Sequence, residues 1–249
     1  MPRSHKDMSL RNQTSGDRQN RLKVIGIVAV CLVIGLVLAL WFATRNPPVA
    51  APEVAEVIDV EGTRAKAEHG DAEAQKKLGA IYANGQDVKR SYPEAAKWYR
   101  QAADQGHAGA QTALGELYEA GQGVPCDEAE AARWYRRAAE QGHVVGQYSL
   151  AVLYVMGKGV PRDIAEAVKW YRRAADQGNA LAQYNLGMRY KEGDGVPHNL
   201  IEAYAWLSLA SAQGLEDAAK ARDELKGRMT REQIAESQRR AKALAEAKP

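Results

Sequence analysis

The chain has 249 residues, of which 45% are hydrophobic and 26% charged; this is the composition of a folded protein and excludes a wholly disordered one. Its formal net charge is +3, but residues 1–45 contribute +5, so residues 46–249 carry −2. Because the basic character belongs to the N-terminal segment, and no basic stripe with interleaved aromatic residues is present, we expect no nucleic-acid partner.

The N-terminal segment divides into a polar tail and a long apolar stretch. Residues 1–23 contain six basic residues and no apolar periodicity, and they are predicted to form a disordered tail. Residues 24–43 are 20 residues without a charge. At about 1.5 Å per residue, a helix of that length spans the hydrocarbon core of a bilayer. We therefore predict one N-terminal transmembrane helix at residues 24–43.

A cleaved signal peptide is the alternative, because a basic start followed by an apolar run fits both. The apolar region of a signal peptide is about 7–15 residues long. This run is longer and ends in Trp41 and Phe42, which suit a membrane interface. By the positive-inside rule the basic tail stays in the cytoplasm. We therefore expect a single-pass protein of the inner (cytoplasmic) membrane, with everything after Ala43 exported to the periplasm.

A linker and a capping helix are predicted to follow the span. Residues 44–53 are rich in Pro and Ala and are expected to form a short, extended linker. Residues 54–70 retain only Ala67 and Gly70 of the pattern that comes next. They are predicted to form a degenerate N-terminal capping helix.

One pattern then repeats four times at a step of 36 residues, without insertion or deletion. The copies are residues 71–106, 107–142, 143–178 and 179–214. A leucine, a tyrosine and a tryptophan keep the step, as Leu78, Leu114, Leu150 and Leu186; Tyr82, Tyr118, Tyr154 and Tyr190; Trp98, Trp134, Trp170 and Trp206. Fixed self-similarity at this period predicts a solenoid.

Each copy is predicted to contain two helices. In the first copy, Ala74, Leu78 and Ile81 lie at i, i+4 and i+7, which is one apolar stripe of a helix that Gly85 ends. The second helix begins with an N-cap acceptor followed three residues later by a glutamate. This capping-box spacing recurs in all copies, as Ser91 with Glu94, Asp127 with Glu130, Asp163 with Glu166 and Asn199 with Glu202.

These motifs carry a family resemblance. The runs from Gly157 to Asp163 (GKGVPRD) and from Glu166 to Gly178 (EAVKWYRRAADQG) resemble the Sel-one-like repeat family, whose members are relatives of the tetratricopeptide repeats. The resemblance covers residues 71 to about 214. It implies an all-α fold: an α/α solenoid, with helix–turn–helix repeats wound into a right-handed superhelix. The fourth copy departs from the pattern at Arg189 and Leu207, which suits a terminal repeat.

Residues 215–249 lose the pattern and are predicted to form C-terminal capping helices. One helix is expected from Glu216 to about Lys226. A capping box formed by Thr230 and Gln233 is expected to start the last one. Solenoids need such polar caps because an end repeat has no neighbour on one side.

No set of residues predicts catalysis, a metal site or a cofactor. His107 and His143 occupy the same repeat position, in the turn before a first helix, where we predict a structural role. Cys31 lies in the predicted transmembrane helix and Cys126 in a loop of the exported repeats, so we expect no internal disulfide and no metal site. We therefore predict a protein that is not an enzyme and has no metal or small-molecule cofactor.

The surface of such a solenoid is then the expected functional element. We predict a membrane-anchored scaffold that binds another protein or a peptide on the periplasmic side of the bacterial cell envelope. A module that binds cell-wall glycan or assists wall enzymes is the alternative. A hydrolase is a less favoured hypothesis, because it would need a set of catalytic residues that the sequence lacks.

The binding site is predicted from the resemblance to tetratricopeptide solenoids, whose first helices line a concave face. In the third and fourth copies the positions outside the core stripe are apolar and are predicted to bind an apolar peptide or helix: Val145, Tyr148, Val152, Val155, Met156, Leu181, Tyr184 and Met188. Glu116 and Glu119 are predicted to flank this patch. The alternative is that Tyr148 and Tyr184 only pack between neighbouring repeats.

Overall fold

The 36-residue pattern folds into a row of paired helices. In a computed structural model, which describes residues 59–247, the chain forms eleven α-helices, and no strand occurs within that range. The predicted tail, transmembrane helix and linker, residues 1–53, lie outside the described residues. None of the eleven helices is long and apolar enough to cross a membrane.

The first ten helices pack in chain order, each against the next, and the eleventh packs back against the ninth, which makes this part of the chain an all-α solenoid. Helix α1 (Val60–Glu68) precedes the repeats, and α10 (Glu216–Lys226) and α11 (Arg231–Glu246) follow them. The first helices of the repeats are α2 (Ala72–Asn84), α4 (Ala108–Ala120), α6 (Val144–Met156) and α8 (Ala180–Glu192). The second helices are α3 (Tyr92–Asp104), α5 (Glu128–Glu140), α7 (Ile164–Asp176) and α9 (Leu200–Ala212).

A side chain caps the N-terminus of every repeat helix. The first helices are capped by Asp71, His107, His143 and Asn179, and the second helices by Ser91, Asp127, Asp163 and Asn199. Each cap accepts a hydrogen bond from the backbone N–H three residues later, which satisfies a donor that the helix itself cannot pair. The structural role predicted for His107 and His143 is therefore confirmed.

The glutamates of the second helices do not close the predicted capping boxes. Glu130 instead accepts a hydrogen bond from Arg133 at 2.6 Å, and Glu166 accepts one from Lys169 at 2.7 Å. A basic side chain three residues further on competes with the bond back to the cap. The predicted N-caps of these helices are confirmed but the return bond from the glutamate is not made, whereas the complete capping box of Thr230 and Gln233 is confirmed at the start of α11.

Two glycines set the geometry of the first repeat. Gly85 ends α2 with a φ of 71°, a left-handed conformation, and its N–H donates to the carbonyl of Ile81. Gly79 lies against the ring of Tyr99 in α3, where a Cβ atom would come within 2.6 Å of the ring. The absent side chain therefore allows the two helices of the repeat to approach closely.

The predicted core stripes are buried. The leucines of the first helices, such as Leu78 and Leu114, have no exposed surface, and the tryptophans of the second helices are at least nine-tenths buried. The fourth repeat adapts as its sequence suggested. Leu207 packs against Gly187, and Arg189 is half-buried and forms an ion pair with Asp194.

A chain of glutamine pairs joins successive helices. Gln111 is buried in α4, where its Nε2 donates to the carbonyl of Ala103 at 3.1 Å and its Oε1 accepts from Gln141 at 2.7 Å. The same arrangement is formed by Gln75 with Gln105, Gln147 with Gln177 and Gln183 with Gln213. Every buried amide of this set is thereby paired at both ends, as a buried polar group requires.

The C-terminal end of the solenoid is closed by α11, which packs against α9. Glu202 of α9 accepts a hydrogen bond from Arg240 of α11 at 2.7 Å and another from Trp206 Nε1 at 3.2 Å. Ala205 stands where the other repeats have a basic residue, so Glu202 is free to make both contacts. The last repeat is thus adapted to receive a cap rather than another repeat.

Candidate functional site

We call the exposed side of α2, α4, α6 and α8 the first-helix face, and the predicted apolar patch lies on it. Only three of the eight predicted apolar residues are exposed: Val145 (43%), Leu181 (45%) and Met156 (59%). The other five are half-buried, in contrast to the expected exposure, because they pack against the core clusters: Tyr148, Val152, Val155, Tyr184 and Met188. The binding role of the set stays a prediction.

Tyr148 illustrates why the patch is smaller than expected. Its ring lies 5.9 Å from that of Tyr171, centroid to centroid, at an interplanar angle of 48°. Burial raises the pKa of the Tyr148 hydroxyl above its usual value. This contact lies within the third repeat, so packing of Tyr148 between neighbouring repeats stays a prediction, and only part of the half-buried side chain is open to a ligand.

Glu116 is exposed and Glu119 is half-buried, and both lie beside buried tyrosines. Glu119 accepts a hydrogen bond from the Tyr135 hydroxyl at 2.9 Å. Burial and the neighbouring Glu119 raise the pKa of Glu116. Burial, with Glu116 nearby, also raises the pKa of Tyr99 to about 12. The two carboxyl groups thus form an acidic edge on α4, where Glu119 is paired with the Tyr135 hydroxyl.

Next to this edge, an open hollow of about 560 Å³ spans the first helices of repeats 1 to 3. Its floor is formed by Ala108, Gly109, Thr112 and Ala113. Its walls are Lys76, His107, Glu116, His143 and Val145. The hollow therefore lies on the first-helix face, beside the exposed Val145.

Sequence reasoning missed this hollow, although a signal for it exists. The second residue of each first helix is Glu73, Val145 or Leu181 in three repeats but Gly109 in the other. Because the side chains of Gly109 and Ala113 are small, they leave space above α4 at this place. A small residue at a position that is large in the other copies of a repeat thus indicates a depression.

The two cap histidines line one end of the hollow. His107 accepts from Ala110 N–H through Nδ1 at 3.2 Å, and its Nε2 lies 2.8 Å from a carboxylate oxygen of Glu73. That contact is the main reason why the pKa of Glu73 is lowered. Burial lowers the pKa of His143, and the nearby His107 and Lys76 lower it further.

The site offers binding groups rather than a reaction centre. Within residues 59–247, no group of three or more His, Cys, Asp or Glu side chains is placed to hold a metal ion. Cys126, the cysteine in this range, is exposed, and its thiol contacts the carbonyl of Glu119 at 3.5 Å. What the face presents is an apolar rim, a hollow and separate positive and negative ends.

The repeats match a known family. Four consecutive segments fit the family model of the Sel1 repeat, namely residues 72–107, 108–143, 144–179 and 180–215. The chain belongs to the Sel1-repeat family. Sel1-repeat proteins generally mediate protein–protein interactions and are generally not enzymes.

Solved Sel1-repeat structures are similar to this one. A protective antigen of uropathogenic Escherichia coli with an SLR fold is 42% identical, with a TM-score of 0.63; the match covers 65% of this chain and 34% of the antigen. A Sel1 repeat protein from Oxalobacter formigenes is 37% identical, with a TM-score of 0.63, and the match covers 67% of this chain and 48% of that one. This chain thus spans less than half the length of the Escherichia coli antigen and of the Oxalobacter formigenes protein. A comparison with curated proteins gives no match.

Proposed function

We propose that this Sel1-repeat chain is a membrane-anchored scaffold that holds another protein or a peptide on its first-helix face. The observation that carries the proposal is the exposure of Val145 and Leu181, which occupy the same position in consecutive repeats. Large exposed apolar side chains are uncommon when they lie side by side, and they usually mark an interaction site. The hollow beside Val145 adds a depression into which a partner side chain fits.

The anchor and its orientation rest on the sequence. Residues 24–43 have the length and composition of a transmembrane helix, and the basic residues before them favour a cytoplasmic N-terminus. Under this proposal the repeats are exported to the periplasm of a bacterial cell. A reporter that is active only after export, fused after Pro249, is expected to be active and membrane-bound. A soluble product that begins near Ala50 would show cleavage instead.

The binding face is tested by placing charge on its apolar rim. Val145 and Leu181 are the second residues of α6 and α8, where a carboxylate is favourable to the helix and where α2 itself has Glu73. The double variant Val145→Asp/Leu181→Asp should therefore fold normally but lose its partner. Full-length chain, extracted in mild detergent, is used to capture partners, which are quantified by mass spectrometry.

A matched control adds the same two charges elsewhere. Gln101 and Ala165 are exposed on the second helices α3 and α7. The double variant Gln101→Asp/Ala165→Asp should capture the partner as the wild type does. Equal capture by both double variants would contradict the placement of the site on the first-helix face, provided that their melting curves match.

A further inference from the structure

At the histidine end of the hollow, cationic groups and hydrogen-bond donors outnumber the carboxylate that can accept from them. Glu73 is shared by three of them: its carboxylate oxygens lie 2.8 Å from His107 Nε2, 3.7 Å from Lys77 Nζ and 4.0 Å from Lys76 Nζ. Only the contact to His107 is within hydrogen-bond distance. Among the described residues, the ammonium group of Lys76, on the wall of the hollow, therefore has no acceptor within hydrogen-bond distance.

His143 adds a second donor to this end. Its Nδ1 accepts from Gly146 N–H at 3.3 Å and lies 2.9 Å from Thr112 Oγ1. The neutral ring that accepts at Nδ1 carries its proton on Nε2. Nε2 lies on the side of Gly109, 3.9 Å from where a Cβ atom would be, and no described residue accepts a hydrogen bond from it. It is a donor available to a ligand in the hollow.

The opposite end of the hollow has the reverse character. Glu116, seven residues after Gly109 on α4, lines it, and Glu119 is close by. Val145, two residues after His143 in the chain, also lines the hollow, and 43% of it is exposed. A ligand that carries one negative group is thus attracted to the end with Lys76 and repelled from the end with Glu116.

We propose that Lys76 and His143 bind the carboxylate of an Asp or Glu side chain of the partner, while an adjacent apolar side chain of the partner lies on Val145. This inference rests on the proposed function and names the chemistry that the partner presents. Charge complementarity supports it, because the carboxylate supplies the acceptor that the Lys76 ammonium and the His143 Nε2 lack. The negative charge of Glu116 fixes which end the carboxylate occupies.

The test uses three fluorescein-labelled octapeptides that differ at one position, with a central Glu-Leu, Gln-Leu or Lys-Leu pair. Binding to the full-length chain in mild detergent is measured by fluorescence anisotropy. The Glu-Leu peptide is expected to bind at least about fivefold more tightly than either of the others. Equal binding of the three, preference for the Lys-Leu peptide, or no binding would each overturn the inference.

Two lysines on the same helix provide a matched pair of variants. Lys76 lines the hollow, whereas Lys77 contacts the same Glu73 but does not line it. Lys76→Gln should reduce the preference for Glu-Leu over Gln-Leu to less than about twofold, and Lys77→Gln should leave it nearly unchanged. An equal loss in both variants would show a general charge effect and would contradict a site at Lys76.

His143→Asn removes the second donor while it keeps a capping side chain, since Asn179 caps the corresponding helix α8. It should also reduce the preference for Glu-Leu, without unfolding. Failure of this inference is distinguishable from failure of the proposed function. If the three peptides bind equally but Val145→Asp/Leu181→Asp weakens them all, the first-helix face binds peptides without selecting a carboxylate.

Discussion

Trp206 donates a hydrogen bond from its indole Nε1 to Glu202, one turn earlier in α9, at 3.2 Å. The equivalent nitrogens of Trp134 and Trp170 are buried and have no hydrogen-bond partner among residues 59–247. In those repeats the corresponding glutamates, Glu130 and Glu166, bond to Arg133 and Lys169 instead. A surface ion pair thus removes the acceptor that a buried donor would otherwise use.

Arg133→Ala should therefore not destabilise the protein, although it removes an ion pair. The surface pair is worth about 0.2–1 kcal/mol, whereas an unsatisfied buried donor costs about 1–3 kcal/mol. With Arg133 gone, Glu130 can turn to Trp134 as Glu202 turns to Trp206. We expect a melting temperature equal to or above that of the wild type. Trp98 Nε1 is not among the buried, unpaired nitrogens of residues 59–247, so Lys97→Ala is the control that should show no gain. A clear loss in Arg133→Ala alone would contradict the argument.

Truncation of Trp134 should destabilise several repeats. The side chain is 3% exposed, and Arg137 lies over its ring at 4.5 Å. Trp134→Ala should cost about 3–5 kcal/mol, measured by urea unfolding. In a solenoid each repeat is stabilised by its neighbours, so the loss should spread from the second repeat to the adjacent ones. Trp134→Phe keeps a ring and removes the unpaired N–H, so it should cost much less. Equal costs for the two variants would contradict a packing role for the ring.

His143 should make the protein less stable in mild acid. Its lowered pKa, caused by burial and by His107 and Lys76, favours the neutral ring in the folded chain. As the pH falls, the histidine of the unfolded chain is protonated at a higher pH than that of the folded chain. The folded state therefore keeps its full stability at neutral pH and loses stability as the pH falls below about 6.5. Protonation of Nδ1 also removes the cap acceptor for Gly146 N–H. His143→Asn should therefore lose less stability than the wild type between about pH 7.5 and 5.5, measured by urea unfolding.

The comparison at each pH isolates His143 from the other groups around the hollow. The contact between Glu73 and His107 lowers the pKa of Glu73, so Glu73 titrates below this pH range. The raised pKa of Glu116 makes the folded chain more stable as the pH falls, and it does so equally in the wild type and in His143→Asn. His198→Asn, at an exposed histidine far along the chain, serves as the control and should follow the wild type. Parallel curves for the wild type and His143→Asn would contradict the prediction.

Arg240→Ala should loosen the C-terminal cap without affecting distant repeats. Arg240 Nε lies 2.7 Å from Glu202 Oε1, and the Glu202 side chain is only 17% exposed. Solvent therefore screens this ion pair less than it screens a pair on the surface. Hydrogen exchange should become faster in α11 and α9 but not in α2 to α5, because repeats interact mainly with their neighbours. Arg239→Ala, at the exposed residue beside it, should leave exchange unchanged. Uniformly faster exchange would contradict local closure.

The features that a single repeat encodes locally could be predicted from the sequence. The stripes of α2 and α3, the capping side chains and the turn at Gly85 follow from spacing within 36 residues. Properties that depend on contacts between helices could not. The half-burial of Tyr148 depends on the Tyr171 ring of α7, and the open capping boxes depend on competition from residues such as Arg133. The hollow depends on residues of three first helices, α2, α4 and α6, which come together only in the folded chain.

The glutamine pairs also bear on how the length of such a protein changes. Each joint between repeats is made by the same atoms, with Gln111 contacting Ala103 and Gln141 just as Gln147 contacts Ala139 and Gln177. Removing or duplicating one whole unit in frame would therefore join surfaces that already fit one another. A gene duplication of 36 codons would extend the solenoid without a new interface having to evolve.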